Sequence, residues 1–245
     1  MITLARPGLR GWNEDSSKIG GRVIGSRHPL VLDQSGANMM VSYARDPAFE
    51  DAPFSKDHPR FHIEVYEVSI GMYEDCVRAG RCSPAHFEDG SCEVLAESGR
   101  IRANLPLECR DIERPQVCVD APQAQRYCGW EGRRLPEQSE WQRVTTDFKD
   151  EPALLAHRGK EACAPTLSRL IYPGDPERGS DSLSFRNSVS EWVTRSVASR
   201  DEAATRPGGY TAMGGTWREP HQHEVPADAR VPRDDIGFRC AQDYP

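Results

Sequence analysis

A chain of 245 residues can bury a sizeable core, and one large domain suits it as well as two small ones. Its 37% hydrophobic content, 20 Gly and 19 Pro describe a polar, loop-rich globular protein rather than a helical bundle, in keeping with a mean hydropathy of −0.68. No apolar run approaches the ~18 residues of a membrane helix, and a net charge of −7 with scattered arginines argues against nucleic acid as partner.

The elements follow in order. Residues 1–38 are rich in breakers (Pro7, Gly8, Gly20, Gly21, Gly25) and read as an irregular N-terminal arm, with the domain proper over 39–245. Phe61 to Val68 alternates apolar and polar residues with period two, as a half-buried strand does. Ser69 then caps a helix whose Ile70, Tyr73, Cys76 and Val77 form one stripe, and Gly80 stands where a left-handed C-cap belongs. Residues 83–114 read as a long irregular connection. A second helix is predicted over Asp120–Trp130, with Asp120 as cap, Pro122 in its first turn and Gly132 beyond its end. A third follows Pro136, from Glu137 to Thr146, with Trp141 and Val144 facing inward. Short strands are predicted near Glu191–Thr194, Tyr210–Trp217 and Gly237–Ala241.

The eight cysteines show no CxxC pair and no zinc-finger spacing, so disulfides are favoured over metal. The N-terminus lacks the apolar core of a secretory signal, which reads as cytoplasmic, whereas the cysteine count suits an oxidising compartment. Proximity suggests the pairs Cys76 with Cys82 and Cys109 with Cys118, leaving Cys92 and Cys163 over.

Five segments, in order, resemble the formylglycine-generating-enzyme (sulfatase-modifying-factor) family. Phe61-His-Ile63-Glu64-Val-Tyr-Glu67-Val68-Ser69 is similar to F-x-I-D-x-x-E-V-T. Val119-Asp120 through Tyr127-Cys128-Gly-Trp130-Glu-Gly132-Arg-Arg134-Leu135-Pro136 to Glu140-Trp141 resembles the central V-x-W-x-x-A-x-x-Y-C-x-W-x-G-x-R-L-P-T-E-x-E-W. Val189-Ser-Glu191-Trp192-Val193, Gly214-Gly215-Thr216-Trp217 and Ile236-Gly237-Phe238-Arg239-Cys240-Ala241 resemble the tail of G-N-V-W-E-W-V, R-G-G-S-W and L-G-F-R-C-A. The resemblance implies a single C-type-lectin-like domain of the α+β class, with low regular secondary structure and long loops. It also implies a Cys128–Cys240 bridge, and it places Trp130, Trp141, Trp192 and Trp217 in the core.

The catalytic members oxidise a substrate cysteine using copper held by two cysteines, three and eight positions past the Ser of G-G-S. Counted from Thr216, those positions hold Glu219 and Glu224, and no cysteine lies between Cys163 and Cys240. Cu(I) is soft and selects sulfur, so a carboxylate does not substitute. The related iron-dependent sulfoxide synthases add a helical bundle with three histidine ligands, for which residues 1–60 are too short and offer only His28 and His58. The expectation is a non-catalytic recognition domain that binds a protein, peptide or glycan through loops 216–235, with Thr216, Trp217, Arg218, Glu219, His221, His223 and Glu224 as candidate contacts and no cofactor. The alternative is a metal-dependent oxidoreductase of the formylglycine-generating type with an altered site, using His221, His223 and Glu224. The family's calcium stretch falls on Asn187–Trp192. It makes Glu191 the candidate calcium ligand, against a structural hydrogen bond or ion pair.

Overall fold

The computed structural model describes residues 30–32, 39–45, 48, 60–147, 163–164, 188–195, 209–218 and 224–244. Ten strands and three helices organise them. The first sheet joins β1 (Leu30–Leu32), β2 (Met39–Ala44), β3 (Arg60–Glu64) and β10 (Ala241–Tyr244) in that spatial order, all antiparallel. β1 falls inside the stretch read as an irregular arm, whose residues before Leu30 lie outside the described ones. β3 and β10 pair Ile63 with Ala241, so the N-terminal and C-terminal family motifs share one ladder. The second sheet runs β8 (Glu224–Val225), β7 (Tyr210–Met213), β6 (Ser190–Thr194) and β9 (Ile236–Gly237), with β6 and β9 parallel.

The helices are α1 (Ile70–Arg78), α2 (Ala121–Trp130) and α3 (Gln138–Asp147); α1 packs on α2, and α2 and α3 pack on β6. Their sequence signals are realised locally. Ser69 Oγ accepts from Met72 N at 3.2 Å, and Gly80, past the end of α1, adopts φ +69°. Asp120 and Gln123 form a reciprocal capping box at α2, at 2.7 and 2.9 Å. The buried faces of α1 and α2 meet in a cluster with Tyr73, Tyr127, Leu135, Trp192 and Phe238, where the Tyr73 and Tyr127 rings stack and Phe238 meets both edge-on.

Three expectations need correction. The connection over 83–114 is not irregular throughout: it contains a hairpin of β4 (Cys92–Ala96) and β5 (Gly99–Ala103) and a 3-10 turn at Leu107–Cys109. The hairpin turns on Glu97 and Ser98, without the Asn-Gly or Asp-Gly pair that announces such turns. The strand expected over Gly237–Ala241 is two short strands, β9 and β10, separated by Phe238, Arg239 and Cys240. The pair Cys109–Cys118 does not form either. The bridges are Cys76–Cys82, Cys92–Cys118, Cys109–Cys163 and Cys128–Cys240, which leaves no cysteine free. Tertiary contact overrides sequence proximity here, because Glu93 and Cys118 bond the same segment. Glu93 N donates to Pro232 O at 2.8 Å, and Cys118 N to Arg233 O at 2.8 Å, which sets Cys92 beside Cys118.

At Gly237 the backbone passes close to its neighbours. A Cβ there would lie 2.8 Å from Val189 Cγ2 and 2.9 Å from the carbonyl oxygen of Gln116. Because the second of these is backbone, a side-chain shift alone does not relieve the clash. Gly237→Ala is therefore expected to lower stability by about 1–3 kcal/mol in a denaturant titration, and an unchanged midpoint would contradict this packing.

Candidate functional site

The segment that follows Gly214 builds a rim over the second sheet. Gly214 turns with φ +87°, and Trp217 N donates to Ser188 O at 3.1 Å, so the chain is tied down at once. Thr216 and Trp217 are buried, Trp217 among Cys92, Leu105, Cys118 and Val189. Thr216 Oγ1 accepts from Arg218 N at 3.2 Å. Arg218 is the first of these residues to reach solvent. Its guanidinium lies 4.4 Å from the Trp217 ring centroid and donates to Asp234 Oδ2 at 2.9 Å.

Asp234 and Asp235 join the rim to the hairpin. Asp234 also accepts from Leu95 N at 3.3 Å and from Arg100 Nη1 at 3.4 Å. Asp235 receives a two-pronged pair from Arg233, both contacts at 3.0 Å, and a further bond from Arg100 Nη2. Three guanidiniums thus share two buried carboxylates. Burial pushes the Asp234 carboxyl up, with the Arg218 bond opposing it.

A second charge network is buried around Arg239. Arg239 donates to Glu191 through Nε and Nη2, both at 2.6 Å, and through Nη1 to the carbonyls of Glu64 (3.0 Å) and Val65 (2.7 Å). Trp141 Nε1 adds a bond to Glu191 Oε2 at 3.0 Å. Glu64 accepts from Arg133 Nη1 and, at 2.7 Å, from Cys240 N. Glu67 reaches Arg239 only at 3.8 Å. Burial pushes the carboxyls of Glu64 and Glu67 up to about 7, against the pull of Arg133 on the first and of Arg239 on the second.

The structure brings Thr216, Trp217 and Arg218 to the rim but gives only Arg218 to the surface, so the first two support a contact face without forming it. Glu224 is exposed on β8, where it accepts from Thr211 Oγ1 at 2.7 Å. Glu219, His221 and His223 lie outside the described residues. Both oxygens of Glu191 are engaged by Arg239 and Trp141, the structural role weighed against calcium, and a cation there would have to displace these donors. Trp141, Trp192 and Trp217 are buried and Trp130 packs on the core, as their motif positions imply. Sequence reasoning missed Arg100, Asp234 and Asp235. The run Arg233-Asp234-Asp235 directly before the Ile236–Ala241 motif was a visible signal, whereas Arg100 sits in the hairpin that went unread.

Residues 31–147 match the model of the sulfatase-modifying factor enzyme 1-like domain. Treponema denticola variable protein 1 superposes with a TM-score of 0.50 at 14% identity, covering 89% of this chain and 99% of that one. PvdO from Pseudomonas aeruginosa gives a TM-score of 0.48 at 19% identity, over 89% of this chain and 98% of that one. CarF gives 0.43 at 17% identity, over 76% and 87%. No curated protein matches. The mixed architecture, with few helices and many short strands, is that of the C-type-lectin-like fold, and over residues 31–147 the chain is similar to the sulfatase-modifying factor enzyme 1-like (FGE-sulfatase) domain.

Proposed function

We propose that this chain is a non-catalytic recognition domain that binds a protein, peptide or glycan through the surface of residues 216–235. One observation carries the reading: all eight cysteines are consumed by the four disulfides. The family's oxidation of a substrate cysteine runs through thiolates that hold soft Cu(I), and this chain retains no thiol for that task. Four bridges also suit an oxidising compartment. The rim supports the binding half of the reading. Arg218 is held by Trp217 and Asp234, and Asp234 by the hairpin, so a polar partner would meet a pre-ordered surface rather than pay to order it.

The test is a pull-down from the native host, comparing wild type with a variant whose residues 218–224 are Gly/Ser, both shown folded by circular dichroism. The expected result is a partner, identified by mass spectrometry, that wild type captures and the variant loses at least tenfold. Equal recovery by both baits would overturn the reading.

A further inference from the structure

The hairpin of β4 and β5 has two outer edges, and the β4 edge is covered. Glu93 N donates to Pro232 O at 2.8 Å, and Glu93 O accepts from Asp234 N at 3.0 Å. Leu95 N donates to Asp234 Oδ2 at 3.3 Å. Glu93 and Leu95 therefore turn their backbone groups away from β5. In an antiparallel pair, two residues directly opposite each other either exchange both hydrogen bonds or both point away. Glu93 stands opposite Arg102 and Leu95 opposite Arg100, so the amides and carbonyls of Arg100 and Arg102 point out of the hairpin. Among the described residues none of these groups has a partner. Two amides and two carbonyls stand open along the β5 edge.

Side chains along that edge are sorted by face, because strand residues alternate. Ile101, 47% exposed, shares a face with Val94, which packs on the cluster of Cys92, Cys118 and Trp217. Arg100 and Arg102 lie on the opposite face. Arg100 is spent on Asp234 and Asp235. Arg102 is exposed and makes no ion pair among the described residues, Glu93 across the hairpin included.

An open edge of this kind is a template for one more strand. A second copy of this chain is the wrong occupant. Antiparallel pairing of β5 with itself about Ile101 would set Arg100 against Arg102 of the copy. Pairing about Arg102 would set that residue against its own counterpart, and like charges so opposed repel. The charge that blocks self-pairing also selects the partner.

We propose that the β5 edge takes up an extended segment of a partner protein in which acidic and apolar residues alternate. The backbone of that segment would satisfy the open amides and carbonyls. An Asp or Glu would face Arg102, and an apolar side chain would cover Ile101. The edge is built from residues 99–103, outside the 216–235 surface, so it holds whether or not that surface binds a partner.

The test titrates the intact, oxidised protein with acetyl-Val-Glu-Val-Glu-Val-amide, read by NMR shifts and amide hydrogen exchange. In the free protein the outward Arg102 amide should exchange quickly, and the Ile101 amide, which faces β4, slowly. The peptide is expected to saturate with a Kd on the order of millimolar. At saturation it should slow exchange at Arg102 at least roughly fivefold. The counterpart with Lys in place of Glu should bind at least roughly tenfold more weakly. Arg102→Pro removes an outward donor and the charge but no bond of the hairpin's own ladder, and should weaken the acidic peptide at least roughly tenfold. Arg102→Glu keeps the donor and should reverse the preference between the two peptides. The variant with residues 218–224 as Gly/Ser should bind the acidic peptide as wild type does, and loss of binding there would place the peptide on the rim instead. Equal affinity for the acidic and basic peptides would overturn the proposal. So would a failure to saturate, or saturation that leaves exchange at Arg102 unchanged.

Discussion

Arg239→Met is expected to destabilise the protein by about 3–5 kcal/mol, among the largest effects of any single substitution. Arg239 is wholly buried, and its guanidinium serves the Glu191 carboxylate and two backbone carbonyls at once. Methionine fills much of the volume but supplies no donor. Glu191 would keep only Trp141, and Glu67 would lose its nearest cation, so two buried carboxylates would take up protons or drive local unfolding. A urea titration measures the loss. The double variant Arg239→Met/Glu191→Leu separates the cost of a stranded charge from the worth of the pair. Removing both partners should recover part of the loss, because a buried ion pair replaced by apolar groups is often near neutral. A single-variant loss below about 1 kcal/mol would show that the network is not a buried anchor.

The second large effect concerns the longest bridge. Cys128 and Cys240 are separated by 112 residues, and both are fully buried in the main cluster. In the chain-entropy account, closing a loop of that length contributes about 4–5 kcal/mol, whereas the six-residue loop of Cys76–Cys82 contributes roughly 2 kcal/mol. The double Cys→Ala variant at 128 and 240 should therefore lose about twice as much stability as the one at 76 and 82. The bridge also works locally. It fixes the end of α2 to the residue that leads into β10, and Arg134 N and O pair with Ala241 at 3.0 and 2.7 Å beside it. Equal losses for the two variants would mean that strain or residual unfolded structure outweighs loop length.

Much of the local structure was legible because it rests on local rules. Ser69 and Asp120 accept from the free amides of a helix's first turn wherever the chain folds. The stripe of Ile70, Tyr73 and Cys76 needs only a core to face. The hairpin at 92–103 was hard to read, since its turn offers only Ser98-Gly99 rather than an Asn-Gly or Asp-Gly pair, and its strands are mostly half-buried or exposed. Of the bridges, Cys76–Cys82 followed from proximity and Cys128–Cys240 from the motifs. Cys92–Cys118 and Cys109–Cys163 depend on contacts across 26 and 54 residues that no local pattern encodes.

The candidate site divides the same way. The family motifs placed a rim after Gly214-Gly215-Thr216-Trp217, and the absence of cysteine at positions 219 and 224 bears on its chemistry. Burial decided which rim residues meet solvent: Trp217 and Thr216 go inward, and Arg218 remains. The sequence by itself determined the helices, the resemblance to the family and the absence of cysteine at positions 219 and 224, because capping, periodicity and residue identity are properties of neighbours along the chain. Only the tertiary structure decided the cysteine pairing, the Arg100–Asp234–Arg218 lattice and the buried Arg239–Glu191 pair. Each of these is a balance of donors and acceptors brought together from distant segments, and no spacing in the sequence reports whether a partner has arrived.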